Sequence, residues 1–196
     1  MLQYLASTKA DPVITPRERL ITGSWVRSER PTDDEKKALS DIGIDDDILT
    51  DALDPHEVPR VETDDGWTYF ITRVPDIGDE FNDFTTPIMV AISSDYLVTV
   101  SRDTLGRLWQ PFIDKTRINT RHQATLFIGM MDMIAQSYQN RVSHINRQTR
   151  AATSDVRQLR SRDIGILTEY ERKLNDYLDA LLPTNTCLLY TSDAAD

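Results

Sequence analysis

The residues with the most chemistry to offer lie in one stretch of sixteen, Asp47 to Glu62, reading DILTDALDPHEVPRVE. Asp51, Asp54 and His56 sit close together there, just after the aspartate run Asp45, Asp46 and Asp47. Carboxylate oxygens are hard donors, so an ordered set of them suits contact with cations, while the plain alternative is a solvated helix flank with no ligand. Leu49 and Leu53 lie four apart on one helical face with Ile48 and Ala52 beside them, which leaves Asp51 on a flank that need not be buried. Pro55 and Pro59 stop that helix and bias the chain toward extended structure. The aspartate run has a structural explanation too, because Gly43 closes one helix and Asp45 can cap the next, Asp46 to Leu53.

Other chemistries find no support. The chain has no Gly-rich phosphate loop, no nucleophile motif and no His-x-x-x-His pair, and its histidines, His56, His122 and His144, are dispersed. Asp163 and Glu169 are better explained as a helix cap and a solvated helix face than as a catalytic pair. The expectation is therefore no enzyme, with no catalytic and no cofactor-binding residue assigned. The single cysteine, Cys187, excludes an internal disulfide and a cysteine-built metal cage.

The elements that must position the acidic stretch can be read from pattern. Gly23 to Arg27 reads as a short strand carrying Trp25, and Thr32 with Glu35 forms a capping box for the helix that follows. Asp33 and Asp34 add charge suited to that helix's positive end. Arg60–Thr63 and Trp67–Val74 flank Asp64-Asp65-Gly66, a hairpin signal, and Ile88–Ser93 with Tyr96–Ser101 repeat the pattern across Ser94-Asp95. Residues 76–86 read as a mobile connection and Val98 to Val100 as a central strand. These pieces predict an α/β domain.

From Asp103 the period changes. Leu105, Leu108, Trp109 and Phe112 mark a short amphipathic helix, and a long helix is expected from about Arg121. Tyr138, Val142, Ile145, Thr149, Ala152, Val156 and Leu159 alternate steps of four and three, as do Leu167, Tyr170, Leu174, Tyr177 and Leu181, so the two runs predict an antiparallel helical hairpin with Asp163 capping its second arm. Arg141, Arg147, Arg150, Arg157, Arg160 and Arg162 form a basic stripe near its tip, open to three readings: a solvated face, a contact with an acidic neighbouring subunit, or an anionic-lipid or nucleic-acid contact.

The formal charge of -10 is uneven. Residues 1–100 hold 21 Asp/Glu against 9 Lys/Arg, whereas the remainder holds 11 against 13. An acidic front half disfavours nucleic acid and favours cations or basic partners. The longest apolar stretch, Thr125 to Ala135, is broken by Asp132 and is shorter than the roughly 20 residues a bilayer span needs. Met1 to Pro16 lacks a signal-peptide core, so a cytosolic location is expected. The last ten residues, CLLYTSDAAD, are expected not to continue the helix and look like translated adapter sequence at a broken end.

Taken in order, the Trp-containing strand before Pro-Thr-x-x-Glu, the acidic helix, the Pro-Arg-Val-Glu strand, Val98 to Ser101 and the long hairpin resemble the cytosolic domain of the CorA-type magnesium channels over most of Gly23 to Thr186. The resemblance implies a mixed β-sheet covered by short helices and followed by a long antiparallel helical hairpin, a homopentamer as partner to itself, two transmembrane helices downstream, and a place for this domain at the cytosolic face of a cell membrane. It implies Mg2+ as both the regulatory and the transported ion. Asp51 matches the family's cation sensor, half of a site completed by a carboxylate on a neighbour's stalk helix; beside it, by position alone, Asp54 and His56 are read as direct or water-mediated metal contacts, and Asp45 to Asp47 as helix-start residues that could join a cation-binding patch. The family's Gly-Met-Asn pore motif is missing: Gly129-Met130-Met131 has Met where Asn is needed and follows no membrane span. The expected organisation is a flexible N-terminus over 1–17, an α/β domain over 18–117, a helical hairpin over 118–186 leading toward a missing stalk, and a non-native tail over 187–196. Two alternatives stand beside it, a zinc-transporting branch of the same superfamily and a free-standing soluble interaction module.

Overall fold

The computed structural model describes residues 1–7, 12–75, 85–115, 117–153 and 161–193. Seven strands form one mixed sheet. In chain order they are β1 (Leu2–Ala6), β2 (Thr15–Arg17), β3 (Trp25–Glu29), β4 (Arg60–Asp64), β5 (Trp67–Pro75), β6 (Thr85–Ile92) and β7 (Leu97–Ser101). Across the sheet the order is β2-β1-β3-β7-β6-β5-β4, with every neighbour antiparallel except β3 and β7. The helices are α1 (Asp33–Asp41), α2 (Asp46–Ala52), α3 (Gly106–Lys115), α4 (Gln123–Thr153) and α5 (Ser161–Asp193).

Because strand residues alternate between faces, the sheet divides the core in two. On one side Val26, Tyr69, Ile71, Met89, Val98 and Val100 pack against Leu39 of α1 and Ile48, Leu49 and Ala52 of α2. On the other, Trp25, Val74, Ile88, Val90 and Leu97 meet α3, α4 and α5. Trp25 is core. It is fully buried, its ring meets Trp109 and Phe112 edge-on at 5.4 and 6.1 Å, and its Nε1 donates to Thr99 Oγ1 at 2.9 Å.

Local chemistry explains most boundaries. Thr32 accepts from Glu35 N while Glu35 reaches back to Thr32 N, the capping box that starts α1. Gly43, at φ +98, ends that helix in a conformation costly for any side chain, and Asp45 Oδ1 caps α2 by accepting from Asp47 N and Ile48 N, both at 2.9 Å. Asp65 and Gly66 both take positive φ, as the tight turn between β4 and β5 requires. Val98 to Val100 lie in β7 at the centre of the sheet.

Three expectations are corrected. Residues 1–17 were expected to be flexible, yet Leu2–Ala6 and Thr15–Arg17 are strands: β3 pairs with β7 on one side, and β1 fills its other edge while burying Leu5. The helix was expected to stop near Thr186, yet α5 runs to Asp193, because Tyr177, Leu181, Thr184 and Leu188 keep the four-three-four spacing of the seam. Asp163 was expected as an N-cap, but its backbone lies inside α5, which is described from Ser161 onward.

The helical hairpin pairs as its seams require. Tyr138 of α4 meets Tyr177 of α5 edge-on at 5.4 Å, and Ile145 and Tyr170 are buried in the same cluster. Thr72 of β5 and Thr184 of α5 share a buried hydroxyl contact at 2.8 Å, with Thr184 donating to Ala180 O, which fixes α5 against the sheet. Of the mobile connection expected over 76–86, Thr85 and Thr86 already belong to β6, while residues 76–84, like the hairpin tip with Val156, Leu159, Arg157 and Arg160, lie outside the described residues. Among the described residues, no helix is long and apolar enough to cross a membrane.

Candidate functional site

The acidic helix α2 is held against the sheet by Ile48, Leu49 and Ala52, and that burial turns the Asp51 side of the helix outward. The Asp51 side chain is 52% exposed. Its Oδ2 accepts from Arg60 Nη2 at 2.8 Å, and its other oxygen accepts no hydrogen bond among the described residues. Arg60 opens β4, directly after Pro59, and also pairs through Nη1 with Glu57 and through Nε with Glu62. Burial works against the Arg60 charge, but the hydrogen bond it donates to Glu62 and the proximity of Glu57 and Glu62 hold its pKa above the ordinary value.

Asp54 is occupied by the turn itself. Its Oδ1 accepts from His56 N at 2.8 Å, and its backbone N–H returns to Asp51 O at 2.9 Å. His56 is exposed and lines a groove of about 280 Å³ between residues 55–59 and α5, facing Arg73, Asp176 and Asp179. Asp51, Asp54 and His56 share one surface turn but do not converge: among the described residues, no group of three or more His, Cys, Asp or Glu is placed to hold a metal ion. Asp45 caps α2, and Asp46 pairs with Ser40, so the aspartate run serves the helix start.

Two arginines to which the sequence assigned no role at the site organise this surface. Arg73, on β5, donates from Nη1 to Glu57 O at 2.7 Å, from Nη2 to Pro55 O at 3.0 Å and Thr85 O at 2.6 Å, and from Nε to Thr85 Oγ1 at 2.7 Å. It thereby ties the 55–59 turn to the sheet. Burial lowers its pKa, partly offset by Tyr138, Glu57, Asp176 and Asp54. The only sequence signal for Arg60 was its spacing from Glu57 and Glu62; Arg73 gave none, because its partners are backbone carbonyls.

A single half-exposed carboxylate with one open oxygen cannot cage a dication. It suits a hydrated hard cation that keeps most of its waters and draws a second ligand from elsewhere. Of the basic stripe, Arg147 and Arg150 are exposed on α4 and Arg141 is half-buried.

The profile of the family described as CorA-like Mg2+ transporter protein matches residues 22–196. Comparison with curated protein sequences found no match. Among solved structures, the complete CorA magnesium transporter of Methanocaldococcus jannaschii is similar with a TM-score of 0.82 at 20% identity, over 97% of this chain and 62% of that one. The soluble domain of CorA from the same organism gives 0.78 at 20% identity, over 96% of this chain and 78% of that one. The cytoplasmic domain of ZntB from Vibrio parahaemolyticus gives 0.77 at 12% identity, over 98% and 79%. At these identities the likeness establishes the fold, and the chain spans under two thirds of the complete transporter's length.

Proposed function

The chain belongs to the CorA-like Mg2+ transporter family, and from that premise we propose that it is the cytosolic, cation-sensing part of a homopentameric divalent-cation channel that senses and transports magnesium. The observation that carries this reading is the family match over residues 22–196, on a fold similar to the soluble domain of a CorA. The channel acts at the cytosolic face of a cell membrane, which it enters through helices that follow this domain.

In this account Asp51 is half of a regulatory site, and a carboxylate of the neighbouring subunit is the other half. A hydrated magnesium ion between them satisfies both anions and holds the subunits packed. When it leaves, the facing carboxylates repel by about 1 kcal/mol at 4 Å in a water-like medium and more where water is excluded. The packed and splayed arrangements then differ in affinity for the ion, and that difference sets the equilibrium between closed and open states. Asp54 and His56 contribute water-mediated contacts at the edge of the site. The protein carries out no covalent chemistry and needs no nucleic-acid partner.

The likeness to a ZntB cytoplasmic domain supports a second reading, zinc as the ion. The donors favour magnesium, because Asp51 offers only hard oxygen where zinc prefers imidazole and thiolate. In the full-length channel, Asp51→Asn should raise the magnesium concentration needed for closure while leaving conduction intact. An unchanged magnesium response would remove Asp51 from the mechanism.

A further inference from the structure

The proposed half-site is already occupied by a positive charge from within the same chain. Arg60 contacts three carboxylates with three different nitrogens: Nη2 with Asp51 at 2.8 Å, Nη1 with Glu57, and Nε with Glu62. The contacts differ in exposure. The Glu57 side chain is 13% exposed and Arg60 26%, whereas Asp51 is 52% exposed. Arg60 is thus anchored at Glu57, the least exposed of the three carboxylates, while Glu62 at 43% and Asp51 at 52% both meet solvent, each through a different nitrogen. It can release Asp51 without leaving its other two partners.

We infer that Arg60 is a built-in competitor for Asp51: its guanidinium holds the sensing carboxylate in the cation-free chain and sets both the concentration of divalent cation needed and the discrimination against monovalent ions. The inference rests on the reading of Asp51 as a cation half-site. Three carboxylates around one guanidinium leave two negative charges unbalanced, the charge a dication supplies. A monovalent ion brings no more charge than the guanidinium already gives and lacks its directed hydrogen bonds, so it displaces Arg60 poorly. A divalent cation brings twice the charge and leaves the Glu57 and Glu62 pairs in place.

The size of the effect follows from the nature of the contact. An exposed ion pair holds its partner for much of the time without locking it, and a ligand that needs the released form sees its affinity reduced by the released fraction. Arg60 should therefore weaken divalent binding at Asp51 by about two- to tenfold.

The test uses the full-length channel that carries this domain, so that both halves of the site are present, with Mn2+ as the probe, read by water-proton relaxation and competed with Mg2+. Arg60→Gln should tighten the Asp51-dependent Mn2+ binding by about two- to tenfold and make it more sensitive to added KCl. Arg60→Lys, which keeps the charge but cannot bridge three carboxylates, should tighten it less, and it serves as the deciding variant if Arg60→Gln does not fold. The double variant Asp51→Asn with Arg60→Gln should bind no better than Asp51→Asn alone. If Asp51→Asn weakens Mn2+ binding but neither Arg60 variant tightens it, the competitor role is overturned and the half-site stands. If Asp51→Asn leaves Mn2+ binding unchanged, the half-site fails and the competitor role fails with it.

Discussion

Replacing Arg73 with methionine should destabilise the domain by about 2 kcal/mol and loosen the turn beside Asp51. Arg73 makes four hydrogen bonds, two to Thr85 and two to the carbonyls of Pro55 and Glu57. Hydrogen bonds from a charged group contribute roughly 1.5–3 kcal/mol each when both partners are buried. Arg73 is only half-buried, so water can replace the contacts to the exposed turn, and the methionine stem recovers the packing of the arginine chain. Those discounts bring the net to about 2 kcal/mol, which corresponds to roughly 4–8 °C in Tm for a chain of this size. Urea and thermal denaturation read the global loss. Amide hydrogen exchange reads the local one, and Glu57 and Val58 should lose more protection than Val98 to Val100 in the central strand. A loss under about 0.5 kcal/mol with unchanged exchange in the turn would refute the claim that Arg73 holds this surface in place.

Three further outcomes are expected. Thr32→Ala, which removes the side-chain half of the capping box, should reduce stability by about 1 kcal/mol in urea denaturation. Gly43→Ala should lose about 1–3 kcal/mol, because the new Cβ would adopt φ +98 and sit 3.0 Å from Trp67 Nε1; a neutral result would show that the turn can change conformation. Burial holds the Tyr138 phenol well above its ordinary pKa, with nearby Arg73 acting downward and Tyr177 upward. The folded state then keeps a proton that the unfolded chain releases near pH 10, so this contribution is intact below about pH 10 and is lost as pH rises further. Tyr138→Phe should flatten that alkaline decline in the urea midpoint, at the cost of the hydrogen bond to Arg73 O.

What the sequence revealed, and what it concealed, divides along physical lines. Local signals were readable: the Thr32 and Glu35 box, the Asp45 cap, the Asp65-Gly66 turn and the heptad seams each depend on residues near one another in the chain. The N-terminal strands were not, because Leu2–Ala6 is a strand only by virtue of the β3 edge it meets. The same long-range pairing explains Arg27 and Glu29. They are 8% and 4% exposed, side by side on β3, with Arg27 donating to Gln3 on β1, where the sequence alone shows only two ordinary surface charges. At the candidate site the sequence pointed to Asp51 and its exposure but not to the guanidinium that holds it. Arg60 is nine residues away, across two prolines, and only the folded turn brings the two together.

The most direct test of the central claim is to read the source DNA across and beyond codon 186. The account predicts a long stalk helix followed by two apolar spans of roughly 20 residues, with Gly-Met-Asn at the end of the first and a carboxylate on the stalk to face Asp51. An authentic stop codon there, closing a free-standing soluble domain, would contradict it.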